Sequence, residues 1–419
     1  MTTHEKPLSS MIDYYKVTMG NVILEKHPDA EVTFTFKNRN SKQPLSEYVA
    51  PDALQSRLDV IRRQGFTPEE VAYYAALKAQ NGDARFTEEY LNHLASMKLP
   101  EVRIATDPIT GDLAIDSIGP WVDVSLWETV IMSEVNEEYY SQLLRSRGLS
   151  IEDLYNEGEN RLTMKIQKLK QRPDVKFADF GTRRRFSIEW HEHVIRRLAS
   201  ELPDNFVGTS NPWFAYRYNL APIGTFAHEM PMVYAGIADS QGEDPLVGHK
   251  RMLQDWQESY GGDLSIALTD TFGSEFFFND FAAEQARRWN GLRHDSGDPI
   301  EFGEHAIAFY EKHGVDPTTK TIVFSDGLDI DTIITLADHF KGKVNVLFGW
   351  GTSLMNDMGL PANNIVMKAT HVGMTDTVKL SDNPGKHTGP QDKVDYYVKK
   401  VDEANMIAKR ALIGTVSIA

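Results

Sequence analysis

Three consecutive arginines, Arg183, Arg184 and Arg185, follow an Asp-Phe-Gly turn in the stretch DFGTRRRF. Cations at a helix N-terminus oppose the helix dipole, so a bound anion explains this run better than a solvated helix start does. Guanidinium groups bind phosphate oxygens with paired hydrogen bonds. The run therefore predicts a phosphate or pyrophosphate site, in which at most two arginines face one ligand and the others pair with acids.

A histidine and three carboxylates follow other predicted strands. His228 comes after a Gly-Thr turn in GTFAHE, Arg293 and Asp295 lie in RHDSGDP, and Asp270 and Asp326 end two further strands. Each carboxylate could instead cap a helix N-terminus, and an isolated histidine is more often a packed residue. Their convergence with arginines predicts a site for sugar hydroxyls, a Mg²⁺-bound polyphosphate and a developing cation.

Two glycine-containing stretches could contact phosphate as well. FGWGTS places Gly351 and Thr352 at the end of a late strand, where barrels often bind phosphate through backbone amides. A tight turn explains this stretch equally well. NPGKHTG lacks the first glycine of a P-loop, but its Gly385 and Lys386 could still reach a phosphate.

The elements that carry these residues predict an α/β fold. Seven short apolar runs between residues 175 and 353 alternate with amphipathic helical segments, and each run ends in a polar, glycine-containing or acidic cluster. Loops at the carboxyl ends of the strands build the active sites of (β/α) barrels, so a barrel is favoured. A doubly wound open sheet is the alternative.

The flanking regions have a different pattern. Residues 1–150 mix alternating strand segments with helices and predict an α+β region with a linking helix. Residues 151–355 form the predicted barrel-like catalytic domain, and residues 356–419 are expected to return to the N-terminal domain.

Composition limits the partners of the protein. Lys plus Arg is 44 against 60 for Asp plus Glu, and the resulting net charge of −16 disfavours nucleic acid and anionic membranes. The absence of cysteine excludes disulfides and thiolate sites. No apolar leader or bilayer-length apolar run is present, so the expected location is the cytoplasm.

Ten stretches in this order resemble the nicotinate phosphoribosyltransferase family, over nearly the whole chain. They are DYYKVTM, FKNR, DFGTRRRFS, GTSN, GTFAHE, LSIALTD, GLRHDSGDP, FSDGLD, FGWGT and KLSDNPGK. The resemblance implies that nicotinate and phosphoribosyl pyrophosphate give nicotinate mononucleotide and pyrophosphate, with coupled ATP hydrolysis. It also implies a type II phosphoribosyltransferase fold, an irregular α/β barrel with an α/β sandwich from both chain ends, and a homodimer with shared active sites.

The resemblance also implies roles for individual residues. His228 is similar to the histidine that ATP phosphorylates, and Arg293 to the arginine that pairs with the pyridine carboxylate. Phe180 would stack on the ring from one subunit and Tyr15 from the other. Magnesium would arrive with the diphosphate, near Asp270 and Asp326, rather than bind the protein directly. The remaining implied contacts are Arg39 and Arg183 with pyrophosphate, Asp270, Asp295 and Asp326 with the ribose, Gly351 and Thr352 with the 5′-phosphate, and Lys379 and Lys386 with phosphates of ATP or pyrophosphate.

The choice of base depends on Ser210. The nicotinamide phosphoribosyltransferase pattern has an aspartate at this position, which would repel the carboxylate of nicotinate. A serine can donate to that carboxylate, so Ser210 with Arg293 favours nicotinate. Quinolinate would need a further cation that the sequence does not offer. Trp213 and Phe214 follow GTSN where smaller residues are expected, which affects the predicted pocket.

Other functions remain as alternatives. Nicotinamide phosphoribosyltransferase and a non-catalytic nucleotide sensor would use the same fold. A phosphosugar aldolase would need a Schiff-base lysine at a strand end, and the seven clusters contain none.

Overall fold

A computed structural model describes residues 6–40 and 44–416, with side chains described as far as residue 410. The chain forms two compact units. The first comprises Met1–Thr225, Gly327–Ile334 and Leu347–Lys368, and the second comprises Phe226–Asp326, Thr335–Val346 and Ala369–Ala419. The domain boundaries expected at residues 150 and 355 stay a prediction.

An antiparallel sheet contains strands from both ends of the chain. In the strand predicted from EVTFTF, Val32, Phe34 and Phe36 are buried while the residues between them are more exposed, as the alternation predicts. The strand order is β11-β10-β1-β3-β2, and Phe34 of β1 pairs with Ser117 of β3. The strands are β1 (Glu31–Asn38), β2 (Val102–Thr106), β3 (Leu113–Pro120), β10 (Ile365–Val372) and β11 (Thr375–Asp376).

Six short strands form the second sheet, in the order β5-β4-β9-β8-β7-β6. Neighbouring strands pair in parallel, for example at Leu292 with Ile322 and at Phe177 with Phe348, and the strands are apolar and largely buried, as expected of a sheet covered on both faces. The predicted α/β class is therefore confirmed. The strands are β4 (Phe177–Asp179), β5 (Phe206–Thr209), β6 (Ile266–Leu268), β7 (Gly291–His294), β8 (Thr321–Phe324) and β9 (Asn345–Trp350).

One of the seven predicted strands does not form. Residues 222–229 are irregular apart from a single parallel bridge between Thr209 and Pro222, and His228 directly precedes a helix. The bridge has two hydrogen bonds, from Thr209 N to Ala221 O and from Ile223 N to Thr209 O, and it ends at Gly224, whose φ of +156° departs from strand geometry. This irregular segment leads directly to His228.

Local signals explain several helix ends. Thr67 and Glu70 form the predicted capping box, Asp298 accepts from Ile300 N and Glu301 N, and Gly148 ends a long helix with φ of +61°. The helices are α1 (Tyr14–Lys26), α2 (Pro51–Gln64), α3 (Pro68–Ala76), α4 (Glu88–Ser96), α5 (Trp121–Val124), α6 (Trp127–Arg147), α7 (Ile151–Lys170), α8 (Ile188–Glu201), α9 (Pro212–Arg217), α10 (Glu229–Ser240), α11 (Pro245–Tyr260), α12 (Ser274–Asp280), α13 (Ala283–Arg288), α14 (Pro299–Lys312), α15 (Ile330–Phe340), α16 (Thr352–Met355) and α17 (Gln391–Val416).

An apolar cluster in the second unit anchors the C-terminal segment. Val378 and Leu380 pack with Phe272, Phe276 and Tyr397 in this cluster. The side chain of Lys379, between Val378 and Leu380, is thereby held against the interior of this unit. Among the described residues, no helix is both long and apolar enough to cross a membrane.

Helices α10 and α11 pack closely at a glycine, which gives a test of the fold. A Cβ at Gly248 would lie 2.4 Å from the backbone oxygen of Tyr234. We expect Gly248→Ala to lower the free energy of unfolding by about 1–3 kcal/mol, because backbone cannot move aside as a flexible side chain would. The matched control is Gly262→Ala, since a Cβ there meets nothing within 4 Å. Equal urea midpoints for the two variants would contradict the close helix packing.

Candidate functional site

His228 lies between two carboxylates and a hydroxyl in the second unit. Its Nε2 is 3.0 Å from Asp295 Oδ2 and 3.7 Å from Asp270 Oδ1, and its Nδ1 is 2.9 Å from Thr271 Oγ1. An ionised carboxylate only accepts, so Nε2 carries the ring proton and Nδ1 accepts from the Thr271 hydroxyl. Burial, followed by the charge of Lys379, lowers the pKa of His228 to about 4. The imidazole is therefore neutral near pH 7, with its nitrogen lone pair on Nδ1.

Arg293 contacts the same carboxylate as His228. Its Nη2 donates to Asp295 Oδ1 at 3.0 Å, and its Nε donates to Ser325 Oγ at 2.8 Å. Burial alone would raise the pKa of Asp295, but Arg293 and His228 hold it well below its usual value. The structure thus brings His228, Arg293 and Asp295 together, and Arg293 stabilises the carboxylate that orients the imidazole.

Among the described residues, one carboxylate oxygen of Asp270 accepts hydrogen bonds and the other accepts none. Oδ2 accepts from Ser296 Oγ at 2.5 Å and Ser381 Oγ at 3.1 Å, and it lies 3.7 Å from Lys379 Nζ. Oδ1 is buried and has no hydrogen bond among the described residues. Burial would raise the pKa of Asp270, but His228 and Lys379 lower it overall. The carboxylate is ionised near pH 7, and Oδ1 can receive a cation or a hydroxyl.

Asp326 and Lys386 pair with each other. Lys386 Nζ donates to Asp326 Oδ2 at 2.8 Å, and both side chains are partly exposed. Both residues were predicted to contact substrate groups, and each already has a partner of opposite charge in this structure.

In the first unit, Asp13 connects two predicted site residues. Arg183 Nη1 donates to Asp13 Oδ2 at 3.0 Å, and Ser210 Oγ donates to Asp13 Oδ1 at 2.6 Å. Asp13 is fully buried, and burial raises its pKa although Arg183 acts in the opposite direction. The Ser210 proton that sequence analysis assigned to a substrate carboxylate is therefore used within the protein.

Cations concentrate around Glu128 in the same unit. Lys16 Nζ is 2.7 Å and Lys368 Nζ 3.8 Å from its carboxylate, and the Tyr15 hydroxyl donates to it at 3.4 Å. Burial would raise the pKa of Glu128, but Lys16, Lys368 and Arg183 hold it at about 2. Arg183 also lies over the Tyr15 ring, 6.0 Å from its centroid. The expectation that Tyr15 acts across a subunit interface stays a prediction.

The three consecutive arginines have different environments. Burial and then the neighbouring Arg183 and Arg39 lower the pKa of Arg184 to about 10, as expected where cations crowd together. Arg185 is fully buried, lies 2.9 Å from Glu137 and donates to Ser10 O at 2.6 Å. Arg185 therefore serves the structure, as predicted for at least one member of the run, and the crowded cations around Arg183 favour an anion.

Backbone contacts place Phe180, Gly351 and Thr352. Phe180 N donates to Trp350 O at 2.9 Å, and a Cβ at Gly349 would come within 2.4 Å of the Phe180 ring. Gly351 directly precedes α16, which begins at Thr352. The ring of Phe180 therefore lies directly against the strand that leads into the predicted phosphate loop.

Sequence reasoning missed several residues that complete these clusters. Asp13 and Lys16 lie in DYYKVTM and Ser296 lies in RHDSGDP, so the motifs were recognised but only some of their polar members were assigned. Glu128 and Lys368 lie outside the ten stretches, and no local pattern marks them. Phe214, which raised a question about pocket shape, is buried and packs edge-on against His191 at 4.9 Å.

Comparisons with known proteins agree with the resemblance. The model of the nicotinate phosphoribosyltransferase (NAPRTase) family matches residues 175–405, and the model of its N-terminal domain matches residues 11–136. The solved structure of nicotinate phosphoribosyltransferase from Porphyromonas gingivalis is 29% identical, with a TM-score of 0.85 over 95% of this chain and 100% of that chain. The enzyme of the same name from Vibrio cholerae is 28% identical, with a TM-score of 0.85 over 98% of each chain.

The buried neutral imidazole predicts how stability depends on pH. Folding lowers the His228 pKa from 6.5 to about 4. Between pH 4 and pH 6.5, His228 is therefore protonated in the unfolded chain and neutral in the folded chain. Stability should therefore fall as pH decreases from 6.5 to 4, by on the order of 3 kcal/mol from this group. Asp270 and Asp295 have pKa values below the usual 3.8. Their protonation therefore lowers the stability only at pH values below the range in which His228 acts.

The measurement is urea unfolding of the wild type and His228→Asn at intervals between pH 4 and 7. The variant should lose less stability across this range than the wild type. Parallel curves for the two proteins would show that His228 is not held neutral by the fold.

Proposed function

Because the chain belongs to the nicotinate phosphoribosyltransferase family, we propose that it transfers the phosphoribosyl group of phosphoribosyl pyrophosphate to nicotinate. The pyridine nitrogen forms a bond to C1 of the ribose while the bond from C1 to pyrophosphate breaks. Positive charge develops at C1 and negative charge on the leaving group, so the enzyme must stabilise both. The products are nicotinate mononucleotide and pyrophosphate, a step in NAD biosynthesis.

We further propose that ATP phosphorylates His228 during turnover. The observation that supports this is the neutral, buried imidazole, whose Nδ1 accepts from Thr271 while Nε2 donates to Asp295. When Thr271 turns away, Nδ1 can attack the terminal phosphorus of ATP as the bond to ADP breaks. Positive charge then develops on the ring, and the Asp295 carboxylate stabilises it through Nε2–H. Hydrolysis of the phosphohistidine returns neutral His228 and inorganic phosphate.

Residues of the first unit would neutralise the anionic groups. Arg39, Arg183, Arg184, Lys16 and Lys368 lie near Asp13 and Glu128, and burial with the neighbouring cations lowers the pKa of Arg184, so this region favours an anion. Binding of pyrophosphate to Arg183 would compete with its contact to Asp13. Magnesium would enter as part of the diphosphate or ATP substrate, and the unengaged Asp270 Oδ1 fits a cation better than Asp326, which Lys386 already occupies.

We also propose a cytoplasmic homodimer, on the basis of the family resemblance.

The alternative base is nicotinamide, and one contact favours it. Ser210 donates its proton to Asp13 and so offers lone pairs that could accept from an amide N–H. Family membership favours nicotinate, and a direct comparison of the two bases separates these possibilities.

Labelling tests the covalent step. Incubation with ATP carrying a radioactive terminal phosphate should give acid-labile, base-stable label on the wild type and none on His228→Ala. The control is His313→Asn, because His313 directly follows α14 and packs against Phe309 rather than against the groups around His228, so labelling should be unchanged. Label that persists in His228→Ala would overturn the assignment of the nucleophile. Binding of ATP without labelling or turnover would instead support the nucleotide sensor.

Product analysis tests the base. With phosphoribosyl pyrophosphate and ATP present, we expect mononucleotide from nicotinate, at a kcat/KM at least about 100-fold above that for nicotinamide, because the crowded cations of the first unit attract a carboxylate but not a neutral amide. Chromatography of both reactions measures this ratio. Formation of mononucleotide only from nicotinamide would refute nicotinate as the substrate.

A further inference from the structure

Two buried serine hydroxyls meet at one oxygen of Asp270. Ser296 Oγ and Ser381 Oγ contact Asp270 Oδ2 and lie 2.8 Å from each other. Asp382 N donates to Ser296 Oγ at 3.2 Å, which fills a lone pair and directs the Ser296 proton to the carboxylate. Both serines are almost fully buried, so water does not replace these contacts readily.

The segment that supplies Ser381 is held firmly in place. Leu380 N and Ser381 N both donate to Thr271 O, at 2.8 and 3.3 Å. The Asp382 carboxylate accepts from Ser274 N and Ser274 Oγ, each at 2.6 Å. Thr271 is also the residue whose hydroxyl contacts His228 Nδ1. The segment therefore supports both the hydroxyl and the carboxylate that flank the imidazole.

Ser381 adopts an unusual backbone conformation to make this contact. Its φ is +64°, in the left-handed region. This conformation brings Cβ close to the following carbonyl oxygen and is unfavourable for a residue with a side chain, whereas glycine adopts it freely. Ser381 therefore occupies a backbone conformation that serine does not favour, which is consistent with a role for its hydroxyl.

We propose that Ser296 and Ser381 are positioning residues that fix the Asp270 carboxylate so that Oδ1 faces Nε2 of His228. Without the two hydroxyls, the carboxylate can rotate about its Cβ–Cγ bond and seek other donors, since a buried oxygen without a hydrogen bond is unfavourable. His228 would then lose its second carboxylate neighbour at the moment when positive charge develops on the ring. The inference rests on the proposed function, in which His228 attacks ATP.

A double-mutant cycle tests this role. Ser296→Ala should lower the rate constant for His228 labelling about 10-fold, which corresponds to one lost hydrogen bond to a charged group, with little change in KM for ATP. Ser381→Ala should act in the same direction but less strongly, because its contact is longer. Ser296→Thr, which keeps a hydroxyl, should restore most of the rate. In an Asp270→Asn background, Ser296→Ala should have no further effect, because the serine acts through that carboxylate.

Ser265→Ala is the matched control. Ser265 is equally buried in the second unit, but among the described residues its hydroxyl bonds only to backbone atoms of Gly262 and Asn290. It should lose comparable stability while the folded enzyme keeps its labelling rate. If Ser296→Ala labels at the wild-type rate, or if its effect multiplies with that of Asp270→Asn, the positioning role is overturned. If the wild type takes no label, the proposed covalent step fails, and the same cycle on the rate of mononucleotide formation decides the role of the serines.

Discussion

The hydrogen bond from Nε2 of His228 to the Asp295 carboxylate is the contact on which the second unit's chemistry depends. It fixes the ring tautomer, so that the lone pair lies on Nδ1. Burial keeps the ring neutral, while Arg293 keeps Asp295 ionised. Any change that protonates this carboxylate or removes the arginine would therefore alter the imidazole as well, although neither group need contact the phosphate in the proposed transfer.

The first unit contains a local concentration of cations in a protein whose net charge is strongly negative. A protein with a net charge of −16 repels polyanions at long range, so it can bind them only where cations are concentrated locally. The cluster around Arg183 provides such a region, and Asp13 and Glu128 compensate it in part. Partial compensation limits the cost of crowding cations together while it leaves positive charge for a ligand.

Much of this arrangement could be predicted from the sequence, because strand ends in α/β proteins carry functional residues and several of them lie in short recognisable stretches. Local patterns failed where distant segments meet. The contact between Ser210 and Asp13 joins residues nearly two hundred positions apart, and it uses the proton that Ser210 was expected to donate to a substrate carboxylate. The prediction of a strand before His228 failed for another reason, since its apolar run pairs with the neighbouring strand at a single bridge and leaves strand geometry at Gly224.

The carboxylate of Asp326 is an internal counter-ion of Lys386. Exposed pairs of this kind contribute on the order of 0.2–1 kcal/mol, so an incoming phosphate can exchange for the carboxylate at small cost. The Lys386 side chain is already partly buried in this pair. Because added salt weakens the resident pair as well as the incoming one, ligand affinity at this position should depend on ionic strength less steeply than at an isolated lysine.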